Sequence, residues 1–257
     1  MRKIVPGFIF LAILIGGILY DVHNHHTVSP TKTVQIPVQS QNKQTSVLPT
    51  VVFNKTAYSI DTPGSIWWVV NKTRPLHPTD YVPPDLVVPN IPLRLTSGDQ
   101  EMHVSKQMAT DLESLVSAGN KANVHLMLAS GYRSYNLQVL VYNQNVKSLG
   151  QAGADQASAK PGTSEHQTGF AADLEPASRV CEVATCFSTT PEGIWLAAHA
   201  YQYGFIIRYP ADKTAITGYE YEPWHVRYVG VALATELHNK NIETLEEFFG
   251  LPAAGTP

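Results

Sequence analysis

The chain has 257 residues, of which 44% are hydrophobic and 15% are charged, and its formal net charge is -3. This composition is typical of a globular protein, and the length suffices for one sizeable domain with additional sequence. The body of the chain lacks a basic tract, so we expect no nucleic-acid partner.

The N-terminus begins with a basic pair, Arg2-Lys3, followed by an uncharged and almost wholly apolar run that ends at Tyr20. As a helix, this run would be about 25 Å long, slightly short of a bilayer core of about 30 Å. A small-x-small cleavage site does not follow it, so residues 1–20 are predicted to be an uncleaved signal anchor. The preceding positive charge predicts that the body lies outside the membrane. Cleavage after the run would instead give a secreted protein.

The rest of the chain divides by composition. Residues 21–50 are rich in Gln, Thr, Ser, Val and Pro without a sustained period, which is typical of a flexible stalk. We expect residues 51–250 to form one folded domain and residues 251–257 to form a tail.

The first half of the folded body mixes strand and helix patterns. Residues 66–70 contain two tryptophans and two valines and are predicted to form a strand. Six prolines between residues 75 and 92 then indicate an extended, loop-rich segment. Apolar side chains at Val104, Met108, Leu112 and Leu115 recur at helical spacing and predict a helix that Gly119 ends.

A short apolar strand is predicted at residues 124–129, and it leads into a loop at residues 130–134. The helix predicted after this loop ends at Gly150. Farther along, Pro191 is predicted to open a helix and Gly204 to end it.

The last part of the chain contains two predicted strands, residues 205–209 and 224–229, with a helix predicted after Gly230. Thr244 and Glu247 have the spacing of a capping box at the start of a final short helix. Because helices and strands mix without strict βαβ alternation, the predicted fold class is α+β.

Two cysteines, Cys181 and Cys186, lie five residues apart. Outside a membrane, such a pair is expected to form a disulfide that closes one loop. Zinc binding by these two cysteines is disfavoured, because the chain has no second cysteine pair to complete a four-ligand site. Two free thiols remain an alternative.

Two segments, residues 161–173 and 221–228, together offer two histidines and two carboxylates. A catalytic zinc needs three protein ligands and one open position, and a remaining carboxylate can act as general base. The candidate ligands are His166, Asp173 and His225, with Glu222 as the base. Alternatively, the histidines are structural and Asp173 caps a turn.

Strict alternation in a strand would place Glu222 and His225 on opposite faces, because they are three residues apart. We expect Pro223 to distort this register, since a residue before proline favours an extended or turning backbone.

The same segments carry a family resemblance that spans roughly residues 64–240. Residues 164–173 (SEHQTGFAAD) and 222–230 (EPWHVRYVG) closely resemble signatures of VanY-type D-alanyl-D-alanine carboxypeptidases, which are zinc metallopeptidases related to lysostaphin and the hedgehog N-domain. Residues 130–134 with Gln138 resemble a third signature, and residues 203–222 contain a fourth.

The resemblance implies one zinc ion per chain, bound by His166, Asp173 and His225, with Glu222 as the base. It also implies a small antiparallel sheet that cradles the zinc, with helices packed behind it. Arg208 and Arg227 lie in family-like segments and are expected to be structural ion-pair partners.

A carboxypeptidase must bind the free carboxylate at the end of its substrate, and a planar guanidinium does so with two parallel hydrogen bonds. The resemblance points to Arg133 and Gln138 as substrate contacts. Ser164 is a candidate for the same carboxylate. Tyr132 and Trp224 are candidate pocket walls, with placement in the core as the alternative.

Three functions remain open from the sequence. The first is a zinc D,D-carboxypeptidase that removes the terminal D-alanine from peptidoglycan stem peptides. The second is an L,D-carboxypeptidase that acts on tetrapeptide stems, and the third is a zinc-bearing cell-wall binding module without catalysis. The intact Glu222 disfavours the third. The expected protein is a monomer in the cell membrane, held by its N-terminal helix and facing the cell wall.

Overall fold

The structure is a computed structural model that describes residues 53–255. The predicted signal anchor and the predicted stalk lie outside these residues. Within residues 53–255, none of the helices is both long and apolar enough to cross a membrane.

Two antiparallel sheets are present in the described part of the chain. Two short strands pair with each other, namely β1 (Leu86–Val87) and β2 (Val104–Ser105). The larger sheet has four strands, namely β3 (Leu126–Ser130), β4 (Ala171–Pro176), β5 (Phe205–Tyr209) and β6 (Glu222–Tyr228). Its order is β3-β4-β6-β5, and every neighbouring pair is antiparallel.

The α-helices within residues 53–255 are α1 (Lys106–Lys121), α2 (Tyr135–Ala157), α3 (Pro191–His199), α4 (Thr214–Thr217), α5 (Val231–Lys240) and α6 (Leu245–Phe249). Short 3-10 helices connect several of these elements. The mixture of helices with a small antiparallel sheet confirms the predicted α+β class.

The two faces of the larger sheet have different roles. Side chains of β4 alternate between the faces, because successive residues of a strand point to opposite sides. Ala172 and Leu174 join the main hydrophobic core, which includes Leu112 of α1 and Leu196 of α3. Asp173 lies between them in the chain, and its side chain points to the opposite face. That face carries the candidate metal ligands.

Residues 66–70 do not form the predicted strand. They are buried as irregular backbone, and the carbonyls of Ile66 and Trp68 accept hydrogen bonds from the Arg227 guanidinium at 3.0 and 2.9 Å. The indole of Trp67 donates to the Val229 carbonyl at 2.8 Å. Trp67 and Val69 pack against α5 and α6, whereas Trp68 and Val70 pack with Leu76 in a separate small cluster. Carbonyls of the segment bind side chains instead of a neighbouring strand.

One predicted helix end, at Gly119, was displaced, whereas the break predicted at Gly150 was confirmed. Gly119 lies inside α1, which continues to Lys121. The ring of Trp195 lies 3.5 Å from the position that a Cβ at Gly119 would take. Gly150 adopts a φ of 75° and interrupts α2 as predicted, but helical turns resume and continue to Ala157.

The C-terminal elements follow the sequence prediction closely. Pro191 is the first residue of α3, and Gly204 ends the following 3-10 turn with a left-handed φ of 83°. The hydroxyl of Thr244 accepts a hydrogen bond from the Glu247 N–H at 3.1 Å, which caps α6. Beyond α6, Ala254 is buried, and its N–H donates to the Ile216 carbonyl at 2.8 Å.

Candidate metal centre and active site

Three of the candidate site residues form a compact cluster. His166, Asp173 and His225 are all buried, and each offers one ligand atom, with these atoms within 4.8 Å of one another. Two imidazoles and one carboxylate are a ligand set that suits a catalytic zinc with an open position. The structure therefore brings together the three ligands that the sequence predicted.

A short 3-10 helix, Glu165–Thr168, positions His166, and Gly169 ends it with a left-handed φ of 75°. The Nδ1–H of His166 donates to the Gly131 carbonyl at 2.7 Å, which leaves Nε2 directed at Asp173 Oδ2, 3.3 Å away. A hydrogen bond on one imidazole nitrogen fixes which nitrogen is available to a metal. Burial lowers the pKa of His166, which favours the neutral imidazole that metal binding requires.

Asp173 and His225 are directly paired in the β4–β6 register, so their side chains emerge side by side. His225 Nδ1 lies 3.3 Å from Asp173 Oδ1. This buried oxygen has no hydrogen-bond partner among the described residues, as expected for an atom that binds a metal ion. Burial alone would raise the pKa of Asp173, but the two histidines hold it well below its usual range.

Glu222 lies at the edge of the same cluster. Its Oε2 is 3.4 Å from His225 Nδ1, although strict alternation would separate the two side chains. The β5–β6 pairing explains this arrangement. Ile207 pairs with Val226 and Tyr209 pairs with Glu222, so β6 contains more residues than β5 between these two pairs. The extra residues around Pro223 form an irregularity that turns Glu222 toward the metal site.

Burial raises the pKa of Glu222 to about 7, with Asp173 contributing in the same direction and His225 opposing it. A carboxylate with a raised pKa is a stronger base than an ordinary surface carboxylate. A bound divalent cation would favour the ionised form and lower this pKa. The geometry therefore allows Glu222 to exchange a proton with a water molecule beside the three ligands.

Sequence reasoning missed the carboxylate behind His225. Glu165 is completely buried, and its Oε2 lies 3.5 Å from His225 Nε2. Neither atom has another hydrogen-bond partner among the described residues. A carboxylate on the outer nitrogen of a metal-binding histidine fixes the ring orientation and its tautomer. Glu165 is adjacent to His166 in the sequence, and this position does not indicate that its side chain contacts His225 instead.

Two buried arginines hold Glu165 in its ionised form. Arg208 Nε and Arg227 Nη1 donate to Glu165 Oε1 at 2.7 and 2.9 Å, and these charges keep the Glu165 pKa well below its usual range despite burial. Arg208 also donates two hydrogen bonds to Glu246 of α6, at 2.9 and 2.7 Å. The prediction that Arg208 and Arg227 are structural ion-pair partners is confirmed.

Arg133 is held by a second set of polar groups. Its Nε donates to Glu101 Oε1 at 3.0 Å, its Nη2 donates to the Ser130 hydroxyl at 2.9 Å, and its Nη1 donates to Gln138 Oε1 at 3.3 Å. Gln138 is buried and also donates to the Ala159 carbonyl at 2.8 Å. These contacts orient the guanidinium, and sequence reasoning missed the role of Glu101.

A cavity of about 370 Å³ contains the cluster. Its lining includes the candidate ligands, Glu222, and four of the proposed substrate contacts, namely Arg133, Gln138, Ser164 and Trp224. Tyr209 and Tyr219, which the sequence did not single out, also line it. Tyr132 is buried and does not line this cavity, which favours the core alternative for it.

The two cysteines are bonded to each other in the structure, with Cα atoms 5.6 Å apart. The disulfide closes part of the loop between β4 and α3. Free cysteines are absent from the described residues.

A family model described as VanY, D-alanyl-D-alanine carboxypeptidase, matches residues 101–231. YodJ of Bacillus subtilis, which is named as a carboxypeptidase, is 41% identical over 191 residues, or 74% of this chain and 69% of the relative. The chain belongs to the VanY family.

Two solved structures extend this comparison. The LD-carboxypeptidase LdcB is 41% identical with a TM-score of 0.69, and the match covers 74% of this chain and 88% of LdcB. A mutant of the vancomycin resistance D,D-pentapeptidase VanY, in complex with Zn(II), is 31% identical with a TM-score of 0.58. That match covers 70% of this chain and 97% of the other.

This protein is therefore a carboxypeptidase of the VanY-type zinc metallopeptidases, and its sheet and helices have the fold of that family. The third alternative, a binding module without catalysis, is set aside. The zinc-bound VanY neighbour and the buried His/Asp/His cluster support a zinc site in the lining of the cavity.

Proposed function

We propose that this protein is a zinc-dependent D,D-carboxypeptidase that removes the C-terminal D-alanine from peptidoglycan stem pentapeptides. The observation that carries the proposal is a cavity that joins a three-ligand metal cluster to an oriented guanidinium. Such a cavity suits a substrate that ends in a free carboxylate close to its scissile bond. The matching family model, described as a D-alanyl-D-alanine carboxypeptidase, supports the same substrate class.

His166, Asp173 and His225 would hold one zinc ion per chain. Zinc, when bound, would polarise the scissile carbonyl and lower the pKa of the attacking water toward about 7. Glu222 takes a proton from that water and gives it to the departing amine. These two transfers require a carboxylate that can bind and release a proton within the cavity.

Arg133 binds the terminal carboxylate of the substrate through two parallel hydrogen bonds. Glu101 and Gln138 keep the guanidinium in place before the substrate arrives, which reduces the entropy lost on binding. Ser164 is buried in the same lining and offers a hydroxyl to the substrate. Trp224 provides an apolar wall beside the metal cluster.

A second candidate function is L,D-carboxypeptidase activity on tetrapeptide stems. The observation in its favour is that LdcB, an LD-carboxypeptidase, has a higher TM-score and identity than the VanY pentapeptidase. Both activities use the same catalytic groups and differ in the residue that precedes the scissile bond.

Incubation of the protein with purified tetrapeptide and pentapeptide stems, followed by mass spectrometry of the products, tests these proposals. The D,D proposal predicts that pentapeptides lose one alanine while tetrapeptides remain intact. Loss of one alanine from tetrapeptides alone would instead establish the L,D activity. Cleavage at an internal bond, or no cleavage of either stem, would contradict both.

We also propose that the protein acts at the outer surface of the cell membrane and faces the cell wall as a monomer. The apolar run in residues 1–20 would hold it there. The Cys181–Cys186 disulfide supports this location, because such bonds persist in oxidising compartments.

A further inference from the structure

The loop between β4 and α3 brings the two cysteines to the catalytic cavity. Cys181 and Cys186 close a small ring, and Val183 within this ring lines the cavity together with Asp173 and Trp224. The loop follows directly from the strand that carries Asp173, so it leaves the sheet beside the metal cluster. None of the catalytic roles described above involves Val183.

The backbone of this loop is unusual. Arg179, Cys181 and Val183 have φ values of 62°, 59° and 40°, all in the left-handed region that favours glycine. A branched side chain such as valine is rarely found there, because its methyl groups crowd the backbone. Such a conformation persists only where the surroundings enforce it, and it is concentrated at functional sites.

Several contacts enforce the conformation of the loop. The disulfide joins its two sides, and Phe187 anchors its end as a completely buried side chain. Glu182, next to Val183, forms ion pairs with Arg94 at 2.5 Å and with Arg179 at 3.3 Å. The loop is therefore fixed at both ends and near its centre, and Val183 is held against the cavity.

The chemistry of the cavity indicates what Val183 contacts. Besides alanines and two tyrosines, the apolar side chains of the lining are Val141, Val183 and Trp224. Arg133, Gln138 and Ser164 supply polar groups for a terminal carboxylate. A substrate that ends in alanine residues also presents methyl groups, and apolar walls recognise these by size.

We propose that Val183 is a specificity-determining residue whose side chain limits the size of the substrate residues that flank the scissile bond. The Cys181–Cys186 ring holds this wall in place. This inference rests on the proposed function, because it assumes a peptide that ends in alanine.

The test is the variant Val183→Gly in the full-length zinc-loaded protein. Glycine adopts a φ of 40° without steric cost and removes the wall. The substrates are stem peptides with alanine or leucine at each of the two positions that flank the scissile bond. We expect the alanine-to-leucine ratio of kcat/KM to fall about tenfold or more at one of these positions, since a single methylene in an apolar pocket usually changes kcat/KM by at least about tenfold. Zinc content should not change.

Asp212→Gly is the matched control. Asp212 also has a left-handed φ, of 62°, but it is exposed and does not line the cavity. Both variants place a glycine at a left-handed position and increase the conformational freedom of the unfolded chain. We expect Asp212→Gly to keep the wild-type substrate ratio, and Val183→Gly to lower Tm no more than the control does.

The double variant Cys181→Ser/Cys186→Ser tests the ring. We expect it to lower the alanine-to-leucine ratio in the same direction as Val183→Gly, and also to lower Tm. An unchanged ratio in the double variant would overturn the role of the ring. A Val183→Gly ratio within about twofold of wild type, with the wild type active, would overturn the proposal for Val183 while leaving the proposed function intact. A wild-type protein that cleaves none of these peptides would overturn both.

Discussion

Replacement of Glu165 by glutamine should weaken zinc binding without removing a ligand. In the wild type, Glu165 Oε2 faces His225 Nε2 at 3.5 Å, and neither atom has another hydrogen-bond partner among residues 53–255. The variant keeps the size of the side chain but loses the charge that orients the imidazole. Outer partners of metal-binding histidines are usually worth about 10–100-fold in metal affinity, so we expect a rise of that size in the zinc Kd.

The substitution also disturbs the buried ion pairs, and this effect must be separated from zinc binding. Without the Glu165 charge, Arg227 has no carboxylate partner among the described residues, whereas Arg208 keeps Glu246. Removing one partner of a buried pair usually costs about 3–5 kcal/mol of unfolding free energy.

Glu246→Gln provides the matched control. It removes the charge that Arg208 pairs with and one of the two oxygens that accept its hydrogen bonds, at 2.9 and 2.7 Å, but Glu246 does not contact either histidine. We expect both variants to lose comparable stability in urea unfolding of the zinc-free proteins. Competition with a chromophoric chelator, at a temperature where all three proteins are folded, should show weaker zinc binding only for Glu165→Gln. Equal zinc Kd values for Glu165→Gln and wild type, or equal losses in both variants, would refute this reasoning.

Three further predictions address the ligands, the substrate carboxylate and the location. His225→Ala should lose the zinc that elemental analysis is expected to find at about one ion per wild-type chain, and full occupancy would exclude it as a ligand. Amidation of the substrate C-terminus should remove about 1.5–3 kcal/mol of binding to Arg133, measured as a fall in kcat/KM. The variant Arg133→Lys should also cleave poorly, because an ammonium cannot reproduce the two parallel hydrogen bonds of a guanidinium. Equal cleavage of amidated and free peptides would mean an endopeptidase and another role for Arg133. Mass spectrometry of the native protein should find residues 1–20 in place, and a mature N-terminus after Tyr20 would indicate a secreted protein.

Local sequence signals predicted the C-terminal half of the domain well. Pro191, Gly204 and the Thr244 cap mark the ends of helices through backbone geometry that depends on near neighbours in the chain. The pairing of Asp173 with His225 was implied by family motifs, and the register of β4 and β6 agrees with it.

The errors arose where distant parts of the chain decide the structure. Residues 66–70 have the composition of a strand, but their carbonyls accept hydrogen bonds from Arg227, about 160 residues away. Gly119 is a plausible helix end by local rules, but α1 continues to Lys121, and the distant Trp195 packs against Gly119.

The charged groups behind the metal cluster were also beyond sequence reasoning. Glu165, Glu101 and Glu246 are ordinary acidic residues in the sequence, and only the folded structure shows that each one faces a buried or functional cation. Burial and pairing depend on tertiary contacts, which residue spacing does not reveal.

The central claim is that Glu222 acts as the base beside a His166, Asp173 and His225 zinc site. It is tested most directly by measuring turnover and zinc content of the wild type and of Glu222→Gln on the same stem peptide. Glutamine keeps the size of the side chain but cannot accept the proton. We predict equal zinc content and a fall in turnover of about 100-fold or more, the usual scale of general base catalysis. Near-normal turnover of the zinc-loaded variant would contradict the account.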